Sequence, residues 1–149
     1  MAEITYIDIE EAIKTLLLTD DRTKSIAGIP LNVAIEESIN QNTDACPWVG
    51  IYLDRWETPA EQELIGGNTP FRTYLTFELW LYEFALENKL AAQKRDYLLQ
   101  KIKEVLKDNR KLSDTVLISR FKGGEFDNAK TKEGFFKGVT IKLECELRE

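Results

Sequence analysis

Histidine is absent from the 149 residues. That removes Ser–His–Asp triads, Cys–His nucleophile pairs, imidazole zinc ligands and every histidine acid–base step. Cysteine occurs twice, at Cys46 and Cys145, each among apolar neighbours and without a CxxC partner. A structural zinc centre needs more thiolate or imidazole ligands than that. The pair reads as free buried thiols in a reducing cytosol. The GxGxxG, GxxxxGK[ST] and GxSxG patterns are missing too. So is a long apolar run, because Tyr74–Leu86 is broken by Glu78 and Glu83 and is too short to span a bilayer. Met1-Ala2-Glu3-Ile4 has neither a basic nor an apolar stretch, so no secretory signal is expected. Positive charge is in deficit, with 20 basic against 26 acidic residues and a net charge of −6. Tight binding to nucleic acid through phosphate neutralisation is disfavoured.

What is present suits one compact domain over residues 1–149. Hydrophobic residues make up 43% and charged residues 31%, a soluble and foldable balance. A globular chain of this size buries roughly 68–70% of its unfolded surface and needs no staple.

Ile9, Ala12, Ile13, Leu16 and Leu17 recur at helical spacing, predicting a helix from Ile9 to Leu18. Asp8 is its expected N-cap, with Glu11 completing a capping box and Ile7 and Ala12 placed for a hydrophobic staple. Thr23–Pro47 shows little periodicity beyond a short strand at Leu31–Ile35 and reads as ordered loop. Val49, Ile51 and Leu53 alternate with Gly50, Tyr52 and Asp54, which predicts a strand over Pro47–Glu57. Thr58–Pro70 carries no period and is longer than a connection requires.

Arg72–Phe84 is the longest predicted strand. Leu75, Phe77, Leu79 and Leu81 would face a core, and Tyr74, Thr76, Glu78, Trp80 and Tyr82 a half-covered surface or a subunit contact. Asn88 is placed to cap a second helix, Lys89–Asn109, with a solvated basic side. Thr115–Phe121 reads as a strand. Gly138–Arg148 reads as another, with Val139, Ile141, Leu143, Cys145 and Leu147 on one side and Thr140, Lys142, Glu144, Glu146 and Arg148 on the other. Lys122–Lys137 between them is expected to be an extended hairpin arm, and Gly66-Gly67 and Gly123-Gly124 to be turn glycines. The expected class is α+β: a mostly antiparallel sheet of about four strands with two helices packed on one face, a long loop and the arm.

No catalytic constellation emerges. The acidic pairs Glu10-Glu11, Asp20-Asp21 and Glu36-Glu37 point apart on any regular element, and Asp127-Asn128 opens nothing like an EF-hand. A binding or assembly role without enzymatic activity and without a cofactor or metal is expected. Its contact candidates lie in and around the two long connections: Trp56, Glu57, Glu61, Glu63, Phe71 and Arg72 for the first, and Lys122, Phe126, Lys130, Lys132 and Phe135 for the second. Packing into the chain's own core is an even alternative for Trp56 and Phe136.

The order of these elements resembles the tail terminator (tail-completion) proteins of long-tailed bacteriophages. The matching run is the helix Ile9–Leu18, a variable loop, and the Pro-led strand Pro47-Trp48-Val49-Gly50-Ile51-Tyr52-Leu53. An acidic loop with Glu57, Glu61 and Glu63 follows, then the long strand Tyr74–Tyr82, a single long helix and a terminal hairpin closing at Glu144-Cys145-Glu146-Leu147. The resemblance implies a virion protein assembled in the host cytoplasm and placed at the head-proximal end of the tail. It implies a homo-oligomer, a hexameric ring, that ends tube growth and offers a head-joining surface. Implied partners are the major tail tube protein, a head-completion or connector protein, and a sheath protein where the tail contracts. DNA would pass through the lumen without specific binding, and no membrane is involved. Lys142, Glu144 and Glu146 become lumen-facing candidates. Another head–tail connector, neck or tube component with the same core is the alternative.

Overall fold

The computed structural model describes residues 5–39, 43–58 and 72–148. Helix α1 spans Tyr6–Thr19. It starts three residues before the predicted helix because Thr5, not Asp8, is the cap. The Asp8 amide donates to Thr5 Oγ1 at 3.3 Å, and the Thr5 amide donates to Asp8 Oδ2 at 2.8 Å, a reciprocal capping box. At the far end Arg22 donates to Asp20 Oδ1 at 3.0 Å and to Asp108 Oδ2 at 2.7 Å, which ties the last turns of the two helices together. These bonds hold the Asp20 carboxyl below its usual range.

Strands β1 (Ser25–Ile26) and β2 (Ile29–Pro30) form a minimal hairpin. Its two loop residues, Ala27 at φ 52° and Gly28 at φ 82°, both take the left-handed region that tight hairpins need. This hairpin lies within the segment read from sequence as loop. Strand β3 (Asn32–Ile35) pairs in parallel with β4 (Trp48–Glu57). Strand β5 (Arg72–Ala85), helix α2 (Asn88–Asp108), β6 (Ile118–Lys130) and β7 (Phe135–Arg148) complete the chain. The main sheet has five strands in the order β3-β4-β5-β7-β6, antiparallel except at β3. Asn88 is the first residue of α2 rather than its cap; Glu87 holds the cap position without a side-chain hydrogen bond.

The expected core face is correct along its length. Val49 and Ile51 of β4, Leu75, Phe77, Leu79 and Leu81 of β5, and Val139, Ile141, Leu143 and Cys145 of β7 are buried. They meet Ile9, Ile13 and Leu17 of α1 and Leu98, Ile102, Val105 and Leu106 of α2 in one cluster. Both helices therefore cover the same sheet face, as two amphipathic stripes require when only one face of the sheet is apolar.

Lys122–Lys137 is the extended hairpin expected, but it is built into the sheet. It is no free arm: β6 pairs with β7 through to Lys130↔Phe135, and β7 pairs with β5 through to Ala85↔Phe135. The turn is confined to residues 131–134, where the Thr131 amide donates to the Gly134 carbonyl at 2.8 Å. Gly123-Gly124 makes no turn either. Gly123, at φ 122°, sits in a bulge between Phe121 and Gly123 that shifts the register of β6. The pair Gly66-Gly67 lies outside the described residues.

Candidate interaction surface

The sheet face away from the helices carries no layer of secondary structure among the described residues. Its side chains can be read in cross-strand rows from the register. Trp48, Tyr82, Gly138 and Asp127 form one row across β4, β5, β7 and β6. Gly50, Trp80, Thr140 and Glu125 form the next, then Tyr52, Glu78, Lys142 and Gly123. Beyond the β4 bulge lie Arg55, Thr76, Glu144 and Arg120, and finally Glu57, Tyr74, Glu146 and Ile118.

The first rows are aromatic because glycine alternates with large rings. A Cβ on Gly138 would lie 2.4 Å from Tyr82 Cε1, and one on Gly50 would lie 2.3 Å from Trp48 Cη2. Both glycines let rings lie flat across neighbouring strands. The rings then pack in a chain: Trp48–Tyr82 at 6.0 Å between centroids, Tyr52–Trp80 at 5.6 Å and Tyr82–Phe136 at 5.3 Å. Phe136 is only 2% exposed, while Trp56 is 65% exposed, which separates the two residues the sequence left even. Burial, with Asp127 adding negative charge, pushes the Tyr82 hydroxyl up to about 12. Gly138→Val is expected to drive Tyr82 off the strand, lowering stability by about 1–3 kcal/mol. Near-ultraviolet circular dichroism, sensitive to coupled rings, reads the loss.

The last rows are charged and closed on themselves. Arg72 reaches Glu146 Oε1 at 2.9 Å, and Arg120 approaches Glu146 Oε2 at 3.4 Å and Glu144 Oε1 at 3.7 Å. Lys122 meets Glu144 Oε2 at 3.1 Å, and Lys142 lies 4.0 Å from Glu78 Oε1. Five of the candidate residues, Arg72, Lys122, Lys142, Glu144 and Glu146, thus converge in one patch on the open face.

The other candidates scatter. Glu57 belongs to the open face and pairs with Arg55 at 3.1 Å. The β4 bulge sets Trp56 opposite Leu75, on the helix face. Phe126 also lies on that face, with the Arg95 guanidinium 4.8 Å from its ring centroid. Lys130 sits 5.8 Å from the Phe135 ring beside the turn, and Lys132 is exposed within it. Glu61, Glu63 and Phe71 lie outside the described residues.

One constellation escaped the sequence reading. Glu10, 1% exposed on α1, meets the Glu36 carboxylate that follows β3. Glu36 Oε1 accepts the Leu53 amide at 2.9 Å, and Tyr52 Oη donates to the Glu37 carbonyl. Burial, the hydrogen bond to Glu36 and the charges of Glu36 and Glu11 push Glu10 up to about 8. Its Oε2 has no partner among the described residues. Glu83, also buried, is raised to about 7 by desolvation, opposed by Lys94. Nothing in residue spacing brings Glu10 and Glu36 together; only the docking of α1 against β3 does. Both cysteines are free, and burial pushes each thiol up to about 12, away from thiolate chemistry. Among the described residues no group of three or more Cys, Asp or Glu is arranged to hold a metal, and no helix is long and apolar enough to cross a membrane.

No protein-family profile and no curated protein matches the chain. Among solved structures, the chain is similar to one described as "Virion of native gene transfer agent (GTA) particle", with 9% sequence identity, 94% of each chain covered and a TM-score of 0.48.

Proposed function

We propose that this chain is a structural subunit of a phage-like virion that closes into a ring, hexameric in the resemblance noted above, on the head-proximal end of a tail tube. The ring ends tube growth and presents the surface that joins the head. The observation that carries this reading is the sheet with both helices on one face and an aromatic, charged face opposite. A subunit in a head-to-tail ring needs two different surfaces for its two neighbours and a third that lines or caps the channel.

Glu78, Lys142, Glu144 and Glu146 suit a channel wall. Arg72, Arg120, Lys122 and Lys142 face these carboxylates in the same patch, so its cations are already engaged and DNA phosphates find no free basic track to stick to. The protein works by contact with copies of itself, the tube and the connector, not by transforming a small molecule.

Negative-stain imaging and light scattering, with and without purified tail tubes, test the reading. Sixfold rings free in solution, or caps on tube ends that stop further polymerisation, are the expected result. Particles that stay monomeric and leave tube growth unchanged at every ratio tested would end it.

A further inference from the structure

Two clusters of charged side chains join no ion pair among the described residues, Glu125 with Asp127 and Lys107 with Arg110 and Lys111, and they lie well apart along the sheet. The first is on the open face. Trp80 and Tyr82 form a ridge, and on its β6 side a hollow of about 320 Å3 is bordered by Glu78, Glu125, Asp127 and Lys142. Glu78 is engaged, accepting the Trp80 indole N–H at 3.0 Å and facing Lys142. Glu125 and Asp127 are exposed and join no ion pair among the described residues. The register puts them two strands from the rings, across Thr140 and Gly138, so about 10 Å of floor with small side chains separates rings from carboxylates.

The second patch follows α2. Lys107, Arg110 and Lys111 are exposed there, also without ion pairs among the described residues. Their backbone is fixed: the Arg110 carbonyl accepts the Ser119 amide at 2.7 Å and the Ser119 hydroxyl at 2.8 Å. Ser119 pairs with Cys145, seven positions along β7 from the Gly138 that faces Asp127, a separation of about 24 Å along the strand.

We propose that the hollow receives the basic corner of a second copy. Arg110 of one subunit enters the hollow of the next, its guanidinium against Trp80 and Tyr82 and its N–H groups directed at Glu125 and Asp127. Arginine suits this place better than lysine, because a flat, weakly hydrated guanidinium stacks on rings while it forks to carboxylates. The two patches differ and lie well apart, so the contact is heterologous and propagates head to tail, the kind that closes into a ring. This rests on the ring-forming reading above and supplies its subunit contact.

Charge-swap complementation tests it on the full chain. Asp127→Lys and Arg110→Glu both alter exposed side chains, and circular dichroism checks that each variant folds. Sedimentation velocity at low and high salt then follows association. Wild type is expected to associate and to weaken as salt rises; each single variant should associate at least about tenfold more weakly, and an equimolar mixture should recover part of the loss. Rings that form normally from either variant would overturn this contact and leave the ring reading standing. A mixture no better than its components would overturn it as well. A wild type that never associates at low salt, with or without tubes, would remove both.

Discussion

At pH 8.5 the Glu10→Gln variant is expected to melt higher than wild type by about 5 °C or more, and at pH 5 the two are expected to melt within about 2 °C of each other. The sign follows from the direction of the shift. Glu10 is raised from 4.5 to about 8 in the folded protein, so the folded state holds this proton more tightly than the unfolded chain. Its contribution is complete below pH 4.5 and is lost as pH rises towards 8. A shift of that size corresponds to a few kcal/mol, and each kcal/mol moves the melting point of a domain this large by about 2–4 °C.

Glutamine keeps the shape of the protonated acid and can donate to Glu36, yet never ionises. Glu83 titrates in the same direction and in an overlapping range, so Glu10→Gln should flatten the pH profile only in part. The double variant with Glu83→Gln should flatten it further. Scanning calorimetry from pH 5 to 9 reads both effects. A wild-type profile that rises through this range would show that Glu10 does not enter the fold protonated. Below pH 4 the opposite trend takes over, as Asp20, held low by Arg22, is forced to take a proton.

Phe77→Ala is expected to cost about 3–5 kcal/mol, a large part of the total stability of a domain this size. Phe77 is fully buried at the middle of β5, the central strand, between Leu53 of β4 and Leu143 of β7. Removing its ring leaves a void that strands paired on both sides cannot collapse to fill. Urea unfolding should show a lower midpoint with an unchanged slope, since the surface exposed on unfolding hardly alters. A loss below about 1.5 kcal/mol would mean that the neighbouring side chains relax into the space. Phe77 points away from the open face, so any ring or tube contact should survive in the variant at low temperature.

The two faces of β5 and β7 were readable from alternation alone, because a strand's side-chain period is two and an apolar face has only one place to go. The long helix and the strand over Trp48–Glu57 were equally clear, and so was the placement of both helices on one side. The Thr5 cap was missed although the residue types were plain, because Asp8 serves either as a cap or as the closing, fourth residue of a capping box. Gly123-Gly124 was misread for a similar reason: a glycine that permits positive φ serves a turn or a bulge equally, and the choice depends on whether a partner strand runs alongside.

Residue order determined much about this protein: an α+β chain without histidine chemistry, with one apolar sheet face and a mixed aromatic and charged face left over. Tertiary structure alone decided which charges meet. Arg72, Arg120 and Lys122 find Glu144 and Glu146 only through strand register, Glu10 finds Glu36 only when α1 docks on β3, and Glu125 and Asp127 join no ion pair among the described residues because the register sets them opposite Thr140 and Gly138. Local periodicity reports whether a side chain faces inward or outward. For these pairs the partners come from segments about twenty residues or more away, and no short window of sequence contains them.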